Sequence, residues 1–221
     1  CSLSKKLLEY NYKITGIDKL NSYYDVKLKK NRLKILKKHK NFHFYKIDIS
    51  KKTFISDFKN KKFDIAINLA AQAGIRYSLI NPHKYIDSNI KGFLNLILLS
   101  ANNGIKNIYY ASSSSVYGDL PKKPFKENNK INKPLQFYAV TKITNELMAK
   151  MYSKLYSINF TGFRFFTVYG PYGRPDMSIF KFTDLISKSK VVTINGDGNH
   201  ERDFTFIDDI VYGVIKTMDN P

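Results

Sequence analysis

The chain has one cysteine and no tryptophan, only five of its 37 basic residues are arginine, and no apolar run approaches the ~20 residues that span a bilayer. Cys1 alone cannot close an internal disulfide, and His39, His43, His83 and His200 lack the spacing of metal ligands, so no metal is expected. No charged segment leading into an apolar stretch opens the chain, and the expected setting is cytoplasmic, with no membrane partner. Acidic residues are also scarce. Their 18 against 37 basic ones leave a net charge of +19, a balance that ordinarily points to nucleic acid. The distribution of the charge argues otherwise. Lysine, not arginine, carries it, and the densest run, Lys27 to Lys40, keeps Leu28, Arg32, Ile35 and Leu36 at helical spacing with most lysines elsewhere, as on a solvated helix face. No nucleic-acid partner is expected. A basic nucleic-acid-binding module remains the alternative from another class, and steeply salt-sensitive binding would distinguish it.

What is present is the material of a folded core. The 221 residues are 43% hydrophobic and 14% aromatic, enough for one large domain or one and a half. Strand-like segments at Lys13 to Asp18, Phe42 to Asp48, Phe63 to Ala70, Asn107 to Ser113 and Asn159 to Arg164 alternate with helical ones, the pattern of a parallel sheet covered by helices. The clearest helices run from Pro82 to Asn102, opening on a proline suited to a first turn, and from Phe137 to Tyr156. After Tyr169 the pattern breaks into glycines, prolines and short segments.

Ser2 to Tyr10 reads as a helix running into a strand that ends at Asp18. In a dinucleotide-binding fold such a helix follows a first strand and a glycine-rich turn, and the acid closing the second strand grips the adenosine ribose. The expectation is therefore that a strand and turn lie ahead of Cys1, that more chain follows Pro221, and that these residues alone are inactive.

A tyrosine and a lysine four residues apart share one helix face, where the ammonium can hold the phenol near ionisation. Three such pairs occur, Tyr23/Lys27, Tyr138/Lys142 and Tyr212/Lys216, and chance in so Tyr- and Lys-rich a chain supplies about as many. Context singles out Tyr138. It follows a strand running into Ala111-Ser112-Ser113-Ser114-Ser115-Val116-Tyr117-Gly118, and the carboxyl end of a strand is where an open α/β sheet places its ligand.

With these residues the sequence resembles the extended short-chain dehydrogenase/reductase family, and within it the NAD-dependent nucleotide-sugar epimerases, over essentially its whole length. The shared motifs are Asp18, Asp48-Ile49, Asn68-Leu69-Ala70-Ala71, the Ser113 strand end, Tyr138-Ala139-Val140-Thr141-Lys142 and Arg202-Asp203-Phe204. Two longer strings, Ala71 to Ser78 and Arg164 to Met177, are similar to the UDP-glucuronate 4-epimerase group. The resemblance implies an α/β, Rossmann-like doubly wound parallel sheet lacking its first strand in residues 1–169, and the start of a smaller substrate domain in 170–221. It implies NAD as cofactor, held by Asp18, Asp48, Ile49, Leu69, Ala70, Ala71, Ser88, Tyr138, Lys142 and Phe165. Lys19, beside Asp18, leaves NADP tolerance open.

The implied reaction is C4 epimerisation of a UDP-sugar, UDP-glucuronate to UDP-galacturonate, through a transient 4-keto sugar, with Tyr138 as base and Ser113 and Lys142 as its partners. Arg76, Ser114, Ser115, Thr167, Arg174, Lys181 and Arg202 are the implied substrate contacts. Arg76 and Arg174 can take a carboxylate or diphosphate by paired hydrogen bonds, and Arg202 the nucleotide phosphates. Dehydratases of the family carry Asp-Glu where this chain has Ser114-Ser115, so elimination chemistry is not expected, while a UDP-glucose/galactose 4-epimerase or another nucleotide-sugar epimerase/dehydratase stays open. A homodimer through the helices Pro82 to Asn102 and Phe137 to Tyr156 is the family-level expectation.

Overall fold

The computed structural model describes residues 1–74, 76–121, 123–194, 196–199 and 201–219; Ile75, a member of the first long motif string, lies outside them. In chain order the elements are α1 (Ser2–Glu9), β1 (Ile14–Ile17), α2 (Val26–Leu36), β2 (Phe42–Tyr45), α3 (Thr53–Phe58), β3 (Ile65–Asn68), α4 (Tyr77–Ile80), α5 (Pro82–Tyr85), a π-helical turn (Ile86–Lys91), α6 (Gly92–Asn102), β4 (Asn107–Ala111), a 3-10 turn (Ser114–Tyr117), α7 (Phe137–Tyr156), β5 (Asn159–Phe163), β6 (Thr167–Tyr169), α8 (Ser178–Ser187), β7 (Phe204–Phe206) and α9 (Ile207–Asp219). They group into two compact units, residues 47–165 and residues 1–46 with 166–220.

In the unit of residues 47–165, β3, β4 and β5 form one parallel sheet in that order, with Ile65 to Asn68 beside Asn107 to Tyr110 and Asn107 to Ala111 beside Asn159 to Phe163. Central β4 is buried on both faces at Ile108, Tyr109 and Tyr110, as a strand flanked by parallel neighbours must be. Helices α6 and α7 pack on this sheet through Phe93, Ile97, Ala149, Ile158, Ile108 and Ala66. Each such large side chain contributes roughly 1.5–3 kcal/mol on leaving water. The span expected as one helix from Pro82 to Asn102 is helical throughout, but it changes to π geometry at Ile86–Lys91. Gly92 follows that turn. Its missing Cβ leaves room for the Ile49 side chain, which would stand 2.8 Å from it. Helix α7 has the expected bounds and stops at Ser157, whose φ of 51° turns the chain out of the helix.

In the other unit, β1 and β2 pair in parallel, and so do β6 and β7. Leu8, Leu36 and Phe42 form one buried cluster there, with Ile14, Leu33 and Phe44 packed against it. Asp25 caps α2 by accepting from the Lys27 amide, and α9 packs against α1, β6 and β7. Among the described residues β1 hydrogen-bonds only to β2, and β3 only to β4.

Candidate active site

The serine-rich segment leaves β4 at Ala111, and its geometry follows from short polar side chains bonding to nearby backbone. Ser113 is extended (φ −162°, ψ 148°) and caps the 3-10 turn, its Oγ accepting from the Ser115 amide at 3.2 Å and from the Ser115 hydroxyl at 3.0 Å. The Ser114 amide donates to the Phe165 carbonyl at 2.9 Å, so the turn is tied to the end of β5. Gly118 ends the turn at φ +58°, and a Cβ there would sit 1.9 Å from the Lys133 carbonyl oxygen. No other residue fits that position.

Helix α7 packs against this turn and carries Tyr138 and Lys142 on one face. Lys142 is 3% exposed, yet it is not left without a partner: Nζ donates to the Ala111 carbonyl at 2.6 Å and lies 5.8 Å from the centroid of the Tyr138 ring. Burial pushes its pKa down to about 8. Tyr138 is half-buried and meets the fully buried Tyr85 edge-on, with ring centroids 6.2 Å apart. Tyr85 in turn donates its hydroxyl to the Ala73 carbonyl at 3.0 Å and to that of Gly74, so the aromatic pair also fixes the loop after β3.

That loop presents Leu69, 50% exposed, with Ala70 and Ala71, beyond the carboxyl end of β3. Asn68 shapes it by accepting from the Ala70 amide at 3.2 Å. Ser88 is buried in the π-helical turn beside Asn89, whose side chain donates to Gln72 O and Thr141 Oγ1 and accepts from the Gln72 amide. Asp48 accepts from both the amide and the hydroxyl of Ser50, and Ile49 packs on Gly92. Phe165 stacks on Phe163 at 5.4 Å. Arg76 is exposed at the start of α4.

In the other unit, Asp18 closes β1 and accepts from the Leu20 amide at 2.6 Å. Thr167 and Arg174 share a cavity of about 420 Å³ with Tyr169, Met177, Phe180 and Asp184. The Arg174 guanidinium is taken by Asp176, Nε to Oδ1 at 2.9 Å and NH2 to Oδ2 at 2.6 Å. Burial works against the Asp176 charge, but the Arg174 bonds and charge outweigh it and hold the carboxyl below the usual range. Tyr23 also donates to Asp176 at 3.1 Å, and Arg32 donates to the Gly173 carbonyl at 2.8 Å, so this loop is anchored to the segment after β1 and to α2. Lys181 and Arg202 are exposed, and neither lines the cavity.

The sequence alone brings together Ser113, Tyr138 and Lys142 but not the groups that hold them: Ser112, Tyr85, Asn89 and Glu146. Glu146 has a legible signal, since it continues the four-residue spacing of Tyr138 and Lys142 along α7. Among the described residues no group of three or more His, Cys, Asp or Glu side chains can hold a metal, and no helix is long and apolar enough to cross a membrane.

A strand end bearing hydroxyls, with a buried lysine and a tyrosine on the long helix packed against it, is set on a parallel α/β sheet. All of residues 1–221 match the model of the NAD dependent epimerase/dehydratase family, and the chain belongs to that family. The UDP-glucuronate 4-epimerase of Thermodesulfobacterium geofontis is 47% identical over 214 residues, 96% of this chain and 66% of that protein. Protein CapI of Staphylococcus aureus is 48% identical over 220 residues, 99% of this chain and 66% of CapI. A UDP-glucuronic acid 4-epimerase from Bacillus cereus, solved with UDP-glucuronic acid and NAD, superposes with a TM-score of 0.92 at 30% identity over 99% of this chain and 69% of that one. The chain thus spans about two thirds of the length of these relatives.

Proposed function

We propose that the protein carrying this chain epimerises UDP-glucuronate to UDP-galacturonate at C4, with Tyr138 as the group that takes and returns the proton of the sugar 4-hydroxyl. The observation that supports this most is the buried Lys142 ammonium, fixed by the Ala111 carbonyl and set beside the Tyr138 ring. A cation so placed favours the phenolate, the form that can accept a proton. Ser113, at the strand end, holds the same hydroxyl.

The residues present fit a dinucleotide. Leu69, Ala70 and Ala71 form an exposed apolar shelf at a strand's carboxyl end, and Asp18 closes β1 with a carboxylate suited to ribose hydroxyls. Ser88, Phe165, Asp48 and Ile49 complete the proposed set. NAD, when bound, supplies the hydride acceptor and donor. Tyr138 and Ser113 then need only keep the sugar oxygen in reach while the sugar presents either face.

Arg174 favours a uronate over a neutral hexose, because a substrate carboxylate can take the place that Asp176 holds on the guanidinium. Arg76, Ser114, Ser115, Thr167, Lys181 and Arg202 are the further proposed substrate contacts, and the substrate-binding part is proposed to begin at residue 170. Helix α7 also exposes Val140, Leu147, Met151 and Leu155 along one stripe, which supports a homodimer formed through it. Sedimentation tests the dimer. The substrate is tested by incubating the full-length protein with UDP-glucuronate or UDP-glucose: galacturonate from the first supports the proposal, and turnover of UDP-glucose alone overturns the substrate assignment.

A further inference from the structure

Glu146 belongs to a network that the reaction does not itself require. Its carboxylate receives Arg164 through two bonds, Nε to Oε1 at 3.0 Å and NH2 to Oε2 at 2.8 Å, and Oε1 also receives the Ser112 hydroxyl at 2.5 Å. The two ionic side chains are only 16% and 18% exposed, and Ser112 is 3% exposed. The Glu146 bonds raise the Arg164 pKa. From the same guanidinium NH1 donates to the Glu127 carbonyl at 2.9 Å, and the group lies 5.0 Å from the centroid of the Tyr117 ring, which stacks on Phe125 at 4.7 Å. One ion pair therefore ties α7, the ends of β4 and β5, the 3-10 turn and the loop beyond it.

A nearly buried ion pair is a poor way to gain stability, since apolar residues of the same size do as well. What it supplies is a fixed geometry. Two successive turns of α7 grip two successive residues of the strand end: Lys142 holds the Ala111 carbonyl, and Glu146 holds the Ser112 hydroxyl. Fixing Ser112 fixes the direction in which the next side chain, Ser113, leaves the backbone.

We infer that Glu146, braced by Arg164, is a positioning residue that acts through Ser112 to hold Ser113 in register with Tyr138. The inference rests on the proposed epimerase reading of the site. Misplacing a reacting group by about 1 Å can cost ~100-fold in rate, and a partial loss of register should cost about 10-fold.

The test uses the full-length protein with NAD and three variants: Ser112→Ala, which deletes one hydroxyl, Glu146→Gln, which keeps the shape and removes the charge, and the two combined. Each single change should lower kcat about 10-fold while the KM for the sugar nucleotide and the NAD dissociation constant move less than about 2-fold. The double variant should be no slower than the slower single one, because both act through the same contact. A fall in Tm with kcat unchanged, or a raised KM with kcat retained, overturns the inference. If Glu146→Gln does not fold, Ser112→Ala carries the test. If the parent turns over no UDP-sugar, the epimerase reading fails separately, and crystal structures of parent and Ser112→Ala decide the positioning: a Ser113 Oγ displaced by about 0.5 Å or more supports it, and one left in place overturns it.

Discussion

The strand-end cluster of residues 47–165 and the arginine-bearing loop of the other unit hold their polar groups in opposite ways. At the strand end, Lys142, Ser112, Asn89 and Asn145 are nearly buried, and each spends its polar atoms on backbone or on a fixed partner. In the loop, Arg174 and Asp176 are about a third exposed at their side chains and satisfy each other. The first arrangement is rigid because unpaired buried polar groups are costly; the second can exchange one carboxylate for another at little cost. Chemistry that must be placed to within a fraction of an ångström suits the first, and the choice of substrate suits the second.

The largest expected effect falls on the rigid cluster. Tyr138→Phe keeps the ring that meets Tyr85 and removes only the hydroxyl, so kcat should fall by ~10² to 10⁴-fold with Tm unchanged. Retention of more than about a tenth of parental turnover removes Tyr138 as the proton acceptor. In the apolar layer behind it, Phe93→Ala should cost roughly 3–5 kcal/mol, measured by urea unfolding, because Phe93 is 0% exposed and leaves a cavity. A cost under about 1 kcal/mol would mean that the layer can collapse around the gap.

Lys142 separates stability from function. Its folded-state pKa of about 8 lies below the ordinary 10.5, so below pH 8 both states carry the proton and the burial penalty is fully present. Between about 8 and 10.5 the folded state has lost the proton and the unfolded state has not, so stability rises with pH across that window. Lys142→Met should therefore abolish turnover, and the stability of the nucleotide-free parent relative to this variant, measured by urea unfolding, should rise between about pH 8 and 10.5. A difference between parent and variant that does not change across that window would show that the folded-state pKa of Lys142 is not lowered.

Arg174→Ala tests the exchangeable side. The KM for UDP-glucuronate should rise about 10-fold with kcat and Tm little changed, and UDP-glucose handling should not follow. Equal loss on both substrates would assign Arg174 to the shared nucleotide. Smallest of all, Lys188→Ala breaks a surface pair with Asp184 and should move stability by less than about 0.5 kcal/mol.

The same contrast decides how much of the molecule is legible in its sequence. The five strands of the parallel pattern and helix α7 follow from periodicity, because buried faces must be apolar at fixed spacing. The region after Tyr169 does not. Helix α9 is masked by the glycines and prolines that precede it, although Asp208 and Asp209 open it and Val211, Val214, Ile215 and Met218 mark its buried face. Tyr138 and Lys142 stand out from two other pairs of the same spacing only by following the serine-ended strand, and Ser113 by its place at that strand's end. Ser112 does not, because which of two adjacent serines turns back to Glu146 depends on the position of α7. Arg174 is legible as a carboxylate binder, but not the Asp176 that occupies it two residues away, because Pro175 and the loop's backbone path set that pairing.

The proposed chemistry is transient oxidation and return at one carbon, with Tyr138 moving only a proton. UDP-glucuronate deuterated at C4, incubated with the full-length protein and NAD, tests this most directly when the product is analysed by NMR and mass spectrometry. The expected result is UDP-galacturonate that keeps its deuterium at C4, with no carbon dioxide released and no product formed by Tyr138→Phe. Loss of the label to solvent, or epimerisation that persists in Tyr138→Phe, would contradict it.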